Sequence, residues 1–319
     1  MLLLVTNRRD ITMDYVVAEL RRRGQPFFRL NTEELPEALC SMAGFPRDAW
    51  SISLDGVVVR GSQITGAYFR RPGAPVLADT VTDPGERAYA EAEWSSFLKS
   101  LYSRLEGRWL NSPSKIFMAE DKPMQLLLAQ EIGFQVPQAF VTNDISSAQA
   151  INALGKAIGK PLRQAVLGGE TERVIFTTRL AEIEDDQAES IRLTPFIVQS
   201  EILKQYDVRV TVVGEGVFAT AIWSQDNEET ETDWRKGSRP DLRHEKIVLE
   251  PRVQRQCVKL VKRLGLRYGA IDLVCDRAGK LWFLEINPNG QWAWIENLTG
   301  YPIASAIVDE LTVNSIAQT

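Results

Sequence analysis

The chain has 319 residues, enough to bury a substantial core and to form two or three subdomains. Lys plus Arg number 37 against 42 Asp plus Glu, a net charge of -5, so no global basic field points to nucleic acid or to an anionic membrane. No uncharged apolar run reaches the length of a membrane span, and Met1-Leu2-Leu3-Leu4-Val5 passes straight to Asn7-Arg8-Arg9-Asp10 without a signal-peptide layout, so the expected location is the cytoplasm.

Leu2 to Thr6, a helical pattern through Met13-Val16-Val17-Leu20, and Phe27 to Leu30 predict strand, helix, strand, the start of a small α/β domain. Short strand signals follow at Ser51 to Leu54, Val57 to Arg60 and Gly66 to Arg70, before a long helix from about Asp83 to Leu105. Asn111-Ser112-Pro113 punctuates the chain and sets the first domain boundary. Asp121 can then cap a helix carrying Leu126, Leu127, Ala129 and Ile132, ended by Gly133. A helix from Ser146 to Leu154 leads to strands around Lys160 to Leu167, Arg173 to Thr177 and Phe196 to Glu201. Two long β segments, Val208 to Val213 and Val217 to Trp223, precede a charged loop and the helix Val253 to Leu264. Pro302 to Ile316 closes the sequence as an amphipathic helix with Ile303, Ile307 and Leu311 on one face.

Between the last two helices, Tyr268 to Cys275 and Leu281 to Ile286 read as a hairpin. If Asp276 pairs with Leu281 across a four-residue loop, Asp272 falls opposite Glu285, and Asn287 lies two residues further along the same face. Facing carboxylates repel unless a cation sits between them, and Mg²⁺ suits such an oxygen set. The competing reading, acids facing solvent, is weakened by the neighbours Trp282, Phe283 and Leu284.

Cys40, Cys257 and Cys275 are too scattered for a disulfide framework or a zinc knuckle. His244 is the only histidine and sits in the charged stretch Asp241 to Lys246, expected to be a solvated loop, which disfavours Ser/His/Asp and Cys/His mechanisms. Two phosphate motifs fail. In Gly155-Lys156-Ala157-Ile158-Gly159-Lys160 only three residues separate the glycines, and Pro161 stands where a P-loop needs Ser or Thr. Gly214-Glu215-Gly216 precedes a β-branched run and reads as a hairpin turn. Kinase signatures are absent. Lys160 is placed to meet a phosphate, and in Asp207-Val208-Arg209-Val210-Thr211-Val212 the alternation puts Asp207, Arg209 and Thr211 on one face. That polar face is either a site or the solvent side of an edge strand.

The sequence resembles the ATP-grasp ligases, and more narrowly the graspetide (microviridin-type) peptide macrocyclases. The resemblance is carried by Phe28-Arg29-Leu30-Asn31-Thr32, Tyr68-Phe69-Arg70-Arg71-Pro72, Lys122 with Gly133-Phe134-Gln135-Val136-Pro137, Gln199 to Arg209, Asp233-Trp234-Arg235, and Phe283 to Trp294, across nearly the whole chain. It implies an α/β (α+β) ATP-grasp fold with an N-terminal pre-ATP-grasp domain over 1–112, a central lobe over 113–197 and a C-terminal lobe over 198–319 carrying the metal site. By that resemblance ATP is held by Lys122, Lys160, Gln199, Glu201, Ile202, Leu203 and Asp207, and Mg²⁺ by Asp272, Glu285 and Asn287. Arg209 and Arg235 would orient the substrate carboxylate or stabilise its acyl phosphate, a solvated loop being the competing reading for Arg235. The glycine-rich flap of many relatives is reduced to Leu167-Gly168-Gly169-Glu170.

The reaction so implied joins Asp or Glu side chains of a ribosomal precursor peptide, leader plus core, to Thr or Ser hydroxyls or Lys amines. Trp292 and Trp294 would either line a peptide groove or serve packing. Two other readings stay open: an ATP-grasp ligase adding a free amino acid to a peptide, protein or small acid, and a nucleotide-binding regulatory module without turnover. A homodimer is compatible with the sequence.

Overall fold

The computed structural model of the chain describes residues 1–163, 166–167, 173–226, 230–234 and 242–316. Two compact units account for them, each assembled from separate stretches: Met1–Ile116, Gly265–Tyr268 and Asn289–Thr319 in the first, Phe117–Leu264 and Gly269–Pro288 in the second.

The first unit starts with Leu2–Thr6 (β1), apolar except at its last residue and buried throughout, the signature of a central parallel strand. Asp10 caps the helix Ile11–Arg22 (α1) by accepting from the Thr12 amide, and Met13, Val16, Val17 and Leu20 form its buried stripe. Phe27–Asn31 (β2) returns parallel to β1. Leu39–Met42 (β3), Trp50–Leu54 (β4) and Val57–Arg60 (β5) form a separate antiparallel sheet. Gly66–Phe69 (β6) pairs parallel with the other side of β1. The helix Pro84–Arg104 (α2), capped by Asp83 with proline at its first position, leads to Trp109–Leu110 (β7), parallel to β6. The resulting sheet order is β2-β1-β6-β7. Leu3 and Val5 of β1 join Ile52 and Trp50 of β4 and Leu98 and Leu101 of α2 in one apolar cluster. Asn111 is buried beyond β7, its amide donating to the Tyr268 carbonyl at 2.8 Å and its oxygen accepting from the amides of Arg267 and Tyr268. Pro113–Ala119 (α3) follows.

In the second unit Lys122–Ile132 (α4) is capped by Asp121 and closed by Gly133 at φ +99°, a left-handed position that glycine adopts without cost. Ala139–Thr142 (β8), the helix Ile145–Asn152 (α5), Ala157–Lys160 (β9), Val166–Leu167 (β10), Arg173–Val174 (β11), Thr178–Leu180 (β12), the short helix Ala188–Arg192 (α6) and Phe196–Ser200 (β13) build the central lobe. Its four-stranded sheet runs β12-β9-β13-β8, and Ala148, Ile151, Ala157, Ile183 and Val198 form its core. Lys204–Val213 (β14) and Gly216–Ile222 (β15) form the hairpin whose turn holds Gly214 at φ +56°. His244–Ile247 (β16), the helix Pro251–Arg263 (α7), Tyr268–Asp276 (β17) and Leu281–Asn287 (β18) complete a sheet ordered β16-β15-β14-β17-β18. The helix α7 packs on β14 and β15 and buries Cys257, Leu260 and Val261. Returning to the first unit, Ala293–Thr299 (α8) and Ile303–Ile316 (α9) end the described chain, with Ile303, Ile307 and Leu311 buried as their spacing predicts.

One expectation changes. His244 lies on an edge strand, not in a solvated loop, and burial pushes its imidazole below the usual histidine range. The cysteines are free thiols as expected, Cys257 and Cys275 buried and Cys40 partly so. Among the described residues no helix is long and apolar enough to cross a membrane.

On α1, Glu19 accepts from Arg22 at 2.7 Å and from Arg23 at 2.6 Å, and these hydrogen bonds, Arg22's foremost, hold its carboxyl at about 2, below the ordinary 4.5. A depressed carboxyl pKa contributes stability above the unfolded value that disappears as pH falls toward the folded one. Glu19→Gln should therefore lower the melting temperature at neutral pH and flatten its decline between pH 4.5 and about 2 in a pH series of thermal melts.

Candidate active site

The strand β14 is flanked by β15 and β17, so its polar face belongs to a sheet interior and the edge-strand reading fails. Asp207, Arg209 and Thr211 are all buried, as are Val208, Val210 and Val212 on the opposite face. Arg209 donates through Nη1 to both carboxylate oxygens of Asp272 at 2.7 Å, and its guanidinium also lies 5.9 Å from the centre of the Trp234 ring. Asp207 forms an ion pair with Lys204 at 2.7 Å and accepts from the Ser224 hydroxyl. Burial pushes its carboxyl above the usual range while the Lys204 ammonium opposes that rise. Thr211 and Thr220 add two buried hydroxyls without a hydrogen-bond partner among the described residues.

The hairpin of β17 and β18 puts Asp272 directly opposite Glu285 and Asn287 opposite Ala270, but by another route than the four-residue loop predicted from the sequence. Cys275, not Asp276, pairs with Leu281, so the loop is one residue longer. A β-bulge between the Leu273↔Phe283 and Asp272↔Glu285 pairs takes up Leu284 as an extra residue and restores the register. The Asp276 carboxylate accepts from the amides of Ala278 and Lys280 inside the longer loop, which explains its stability.

Lys122, the first residue of α4, reaches the carbonyl of Pro161 at 3.2 Å and lies 3.5 Å from the Glu285 carboxylate. It thus joins the end of β9 to the hairpin. Lys160, on β9, donates to the Gln199 side chain on β13 at 3.2 Å, and Gln199 is almost wholly buried, its Nε2 without a partner among the described residues. Glu201 is gripped by Arg179 in a bidentate pair at 2.6 Å and 2.9 Å, with Glu231 3.4 Å from the same guanidinium. Ile202 is half-buried and Leu203 exposed in the irregular segment between β13 and β14. Arg235 and the Gly168-Gly169 turn lie outside the described residues.

Three residues of this site escape sequence reasoning. Arg179 and Lys204 look like surface cations in the chain, and only the fold gives them Glu201 and Asp207 as partners. Gln125 sits among leucines on α4, yet it is buried: its amide donates to the carbonyls of Ala119 and Ile286, and its oxygen accepts from the Ile286 amide at 3.0 Å. It completes the outer edge of β18 between Glu285 and Asn287, as a neighbouring strand would. A polar residue on an otherwise apolar helical stripe was the available signal.

The donor set fits a hard divalent cation: two carboxylates in register and a carboxamide on the same strand face. Among the described residues no three His, Cys, Asp or Glu side chains group to hold a metal, and the carboxamide beside the two facing acids is that of Asn287, two residues beyond Glu285 on the same strand. Asp272 can keep Arg209 and still serve, because an ionised carboxylate has about four acceptor directions.

A family model described as a RimK-like ATP-grasp domain matches residues 119–311. The chain belongs to the RimK-like ATP-grasp family. It is 25% identical over 223 residues to a "Probable alpha-L-glutamate ligase" of Haemophilus influenzae (strain PittEE), covering 68% of this chain and 72% of that protein. Among solved structures it resembles the macrocyclase MdnC of Microcystis aeruginosa MRC, bound with precursor peptide MdnA, with a TM-score of 0.84, 27% identity, and coverage of 99% of this chain and 100% of that one. A Chryseobacterium gregarium RiPP-associated ATP-grasp ligase, in complex with ADP and a leader and core peptide, gives a TM-score of 0.87, 25% identity, and coverage of 97% and 96%. Both matches extend through the first unit, beyond the ATP-grasp domain.

The buried Arg209–Asp272 pair makes a direct prediction. Arg209→Met should destabilise the protein by about 3–5 kcal/mol, since it leaves a buried carboxylate without its cation. Combining it with Asp272→Leu should recover most of that loss in urea denaturation, a coupling that independent sites do not show.

Proposed function

We propose that the protein is an ATP-dependent carboxylate ligase that crosslinks side chains of a ribosomal precursor peptide. The observation that carries this reading is the extent of the likeness. The two RiPP ligases are matched over 96–100% of their own length, first unit included, whereas the glutamate ligase is matched over 72%. The second reading, addition of free glutamate or another amino acid to an acceptor, draws on that shorter match.

In the proposed reaction a Glu or Asp side-chain carboxylate of the peptide attacks the γ-phosphorus of ATP. A carboxyl-oxygen to phosphorus bond forms, the bond to the β-phosphate oxygen breaks, and ADP leaves. A Thr or Ser hydroxyl, or a Lys amine, then attacks the acyl carbon. The acyl carbon to oxygen bond breaks, inorganic phosphate departs, the nucleophile loses a proton, and an ester or amide remains, one water fewer per link.

Within the division into lobes at 113 and 198, Lys122 and Lys160 hold phosphates. Gln199, Glu201, Ile202 and Leu203 form the segment beside the base, with Glu201 steadied by Arg179. Asp207, set by Lys204 and Ser224, accepts from the nucleotide. Asp272, Glu285 and Asn287 are the residues that would hold Mg²⁺, which supplies charge neutralisation of the phosphoryl oxygens when bound. Arg209, fixed against Asp272, retains a buried Nε without a partner among the described residues, a donor available to an acyl phosphate. Arg235 shares that role. The peptide partner brings its own leader and core, and the enzyme works in the cytoplasm without nucleic acid or membrane.

Incubation with ATP, Mg²⁺ and a candidate precursor rich in Thr and Glu, followed by intact mass, tests the proposal. Loss of one water per link is expected, abolished by Glu285→Gln. An unchanged peptide mass with ADP release that depends on free glutamate would overturn it in favour of the second reading.

A further inference from the structure

Three cations of the second unit each touch two things: an acid of the proposed nucleotide or metal set, and the short segment 230–234 between β15 and β16. Lys204 donates to both carboxylate oxygens of Asp207 and reaches the Thr232 carbonyl at 3.5 Å. Arg209 holds Asp272 and lies 5.9 Å from the centre of the Trp234 ring. Arg179 holds Glu201 and also meets the Glu231 carboxylate. These contacts with the segment are unequal. A carbonyl at 3.5 Å is at the limit of a hydrogen bond, and a ring at 5.9 Å is at the limit of a cation–π contact. Of the three, only Arg179 meets the segment charge to charge.

Arg179 stands on β12, an outer strand of the central-lobe sheet. Its Nε donates to both oxygens of Glu201 at 3.0 Å and 2.9 Å, and its Nη2 donates to Oε1 at 2.6 Å. Both Nη atoms lie 3.4 Å from one oxygen of Glu231. One planar fork with five donors therefore serves two carboxylates at once, a geometry that the single point charge of a lysine does not supply. The two acids differ in setting. The Glu201 side chain is 9% exposed, whereas that of Glu231 is 46% exposed. One end of the link is set into the protein and the other rides on its surface.

With 35% of the Arg179 side chain in water, these pairs add little to stability. What they add is correlation. Glu201 cannot shift without drawing on the guanidinium, and the same rigid plane carries the shift to Glu231. The backbone beyond Glu231 is tied closely enough to respond. The buried Thr230 hydroxyl donates to the Ser224 carbonyl at 2.6 Å, and the Gln225 side chain donates to the Glu231 carbonyl at 3.1 Å. Three residues after Glu231, the Trp234 ring lies against the guanidinium of Arg209, the donor offered above to the acyl phosphate.

Resting on the reading that the nucleotide base lies beside Glu201, Ile202 and Leu203, we propose that Arg179 is a positioning residue that couples the base site to segment 230–234. Filling the base site fixes Glu201, and Arg179 passes that constraint through Glu231 to the segment that sets Trp234 against Arg209. Nucleotide and peptide then bind with positive cooperativity, the first ligand having already ordered what the second needs.

Hydrogen exchange of the full-length protein, with and without ADP and Mg²⁺, tests the link before any peptide is added. ADP should slow exchange of the amides at 201–203 and, by about threefold to fivefold, of those at 230–234, the range that a partly exposed ion pair supports. Glu231→Gln, at a side chain almost half exposed, should keep the first effect and remove the second. Arg179→Met should remove the second as well, and the two substitutions together should remove no more than either alone. Slowing at 230–234 that survives in Glu231→Gln, or that the parent protein lacks, would overturn the proposal and show the Arg179 pairs to be structural only. A labelled precursor rich in Thr and Glu gives the second arm: ADP with Mg²⁺ should tighten its binding by the same factor in the parent protein and not in Glu231→Gln. Equal tightening in both proteins would also overturn the proposal. A precursor that does not bind, with the exchange pattern as expected, leaves the link standing and removes the precursor-peptide reading alone.

Discussion

The bidentate contact between Arg209 and Asp272 decides the character of the second unit. Both groups are more than nine-tenths buried on adjacent central strands, where two charges lose most of their hydration and recover it only through each other. Packed apolar residues of similar volume would serve stability as well or better, so the pair marks a face kept polar for another purpose. Asp207 with Lys204, the hydroxyls of Thr211 and Thr220, and the acids of the hairpin all share that polar environment, while the valines of β14 bury the reverse side. The sheet thus separates a packing face from a chemical one, residue by residue along the same strand.

Holding acids in register near an exposed sheet edge calls for more than pairing. β18 is an outermost strand, free on one side to bend or slip. Gln125 removes that freedom at Ile286 by supplying both a donor and an acceptor to its backbone, and the Gln135 carbonyl accepts from the amide of Phe283 in the same way. Phe134 stacks at a tilt on Phe283, 5.5 Å between ring centres, and adds an apolar clamp beside the polar one. Glu285 and Asn287 therefore project from a strand fixed on both sides.

Much of this was legible in the chain. Asp10, Asp83 and Asp121 announce helix starts by capping chemistry that is local, and Gly133 announces an end for the same reason. The facing of Asp272 and Glu285 was also legible, although a straight ladder reaches it only with a four-residue loop. A longer loop and a bulge compensate each other, and neither has a signature that alternation alone can reveal. Arg179, Lys204 and Gln125 stayed hidden because their roles come from partners distant in sequence or from burial that composition does not disclose. His244 misled because a charged neighbourhood is compatible with an edge strand as well as with a loop.

The first unit opens with β1 and closes with α9, whose Leu311 carbonyl lies against Gly66 of β6 and whose Ser305 and Asp309 bind Arg23 of α1. During synthesis α1 and β6 therefore emerge long before the helix that packs on them. The intervening second unit has all its strands available before that helix, so the first unit is the later of the two to have its last element in place. Until that helix arrives, Arg23 of α1 and Gly66 of β6 lack their contacts with it, and the surface it leaves open is the segment a chaperone would be expected to meet on the nascent chain.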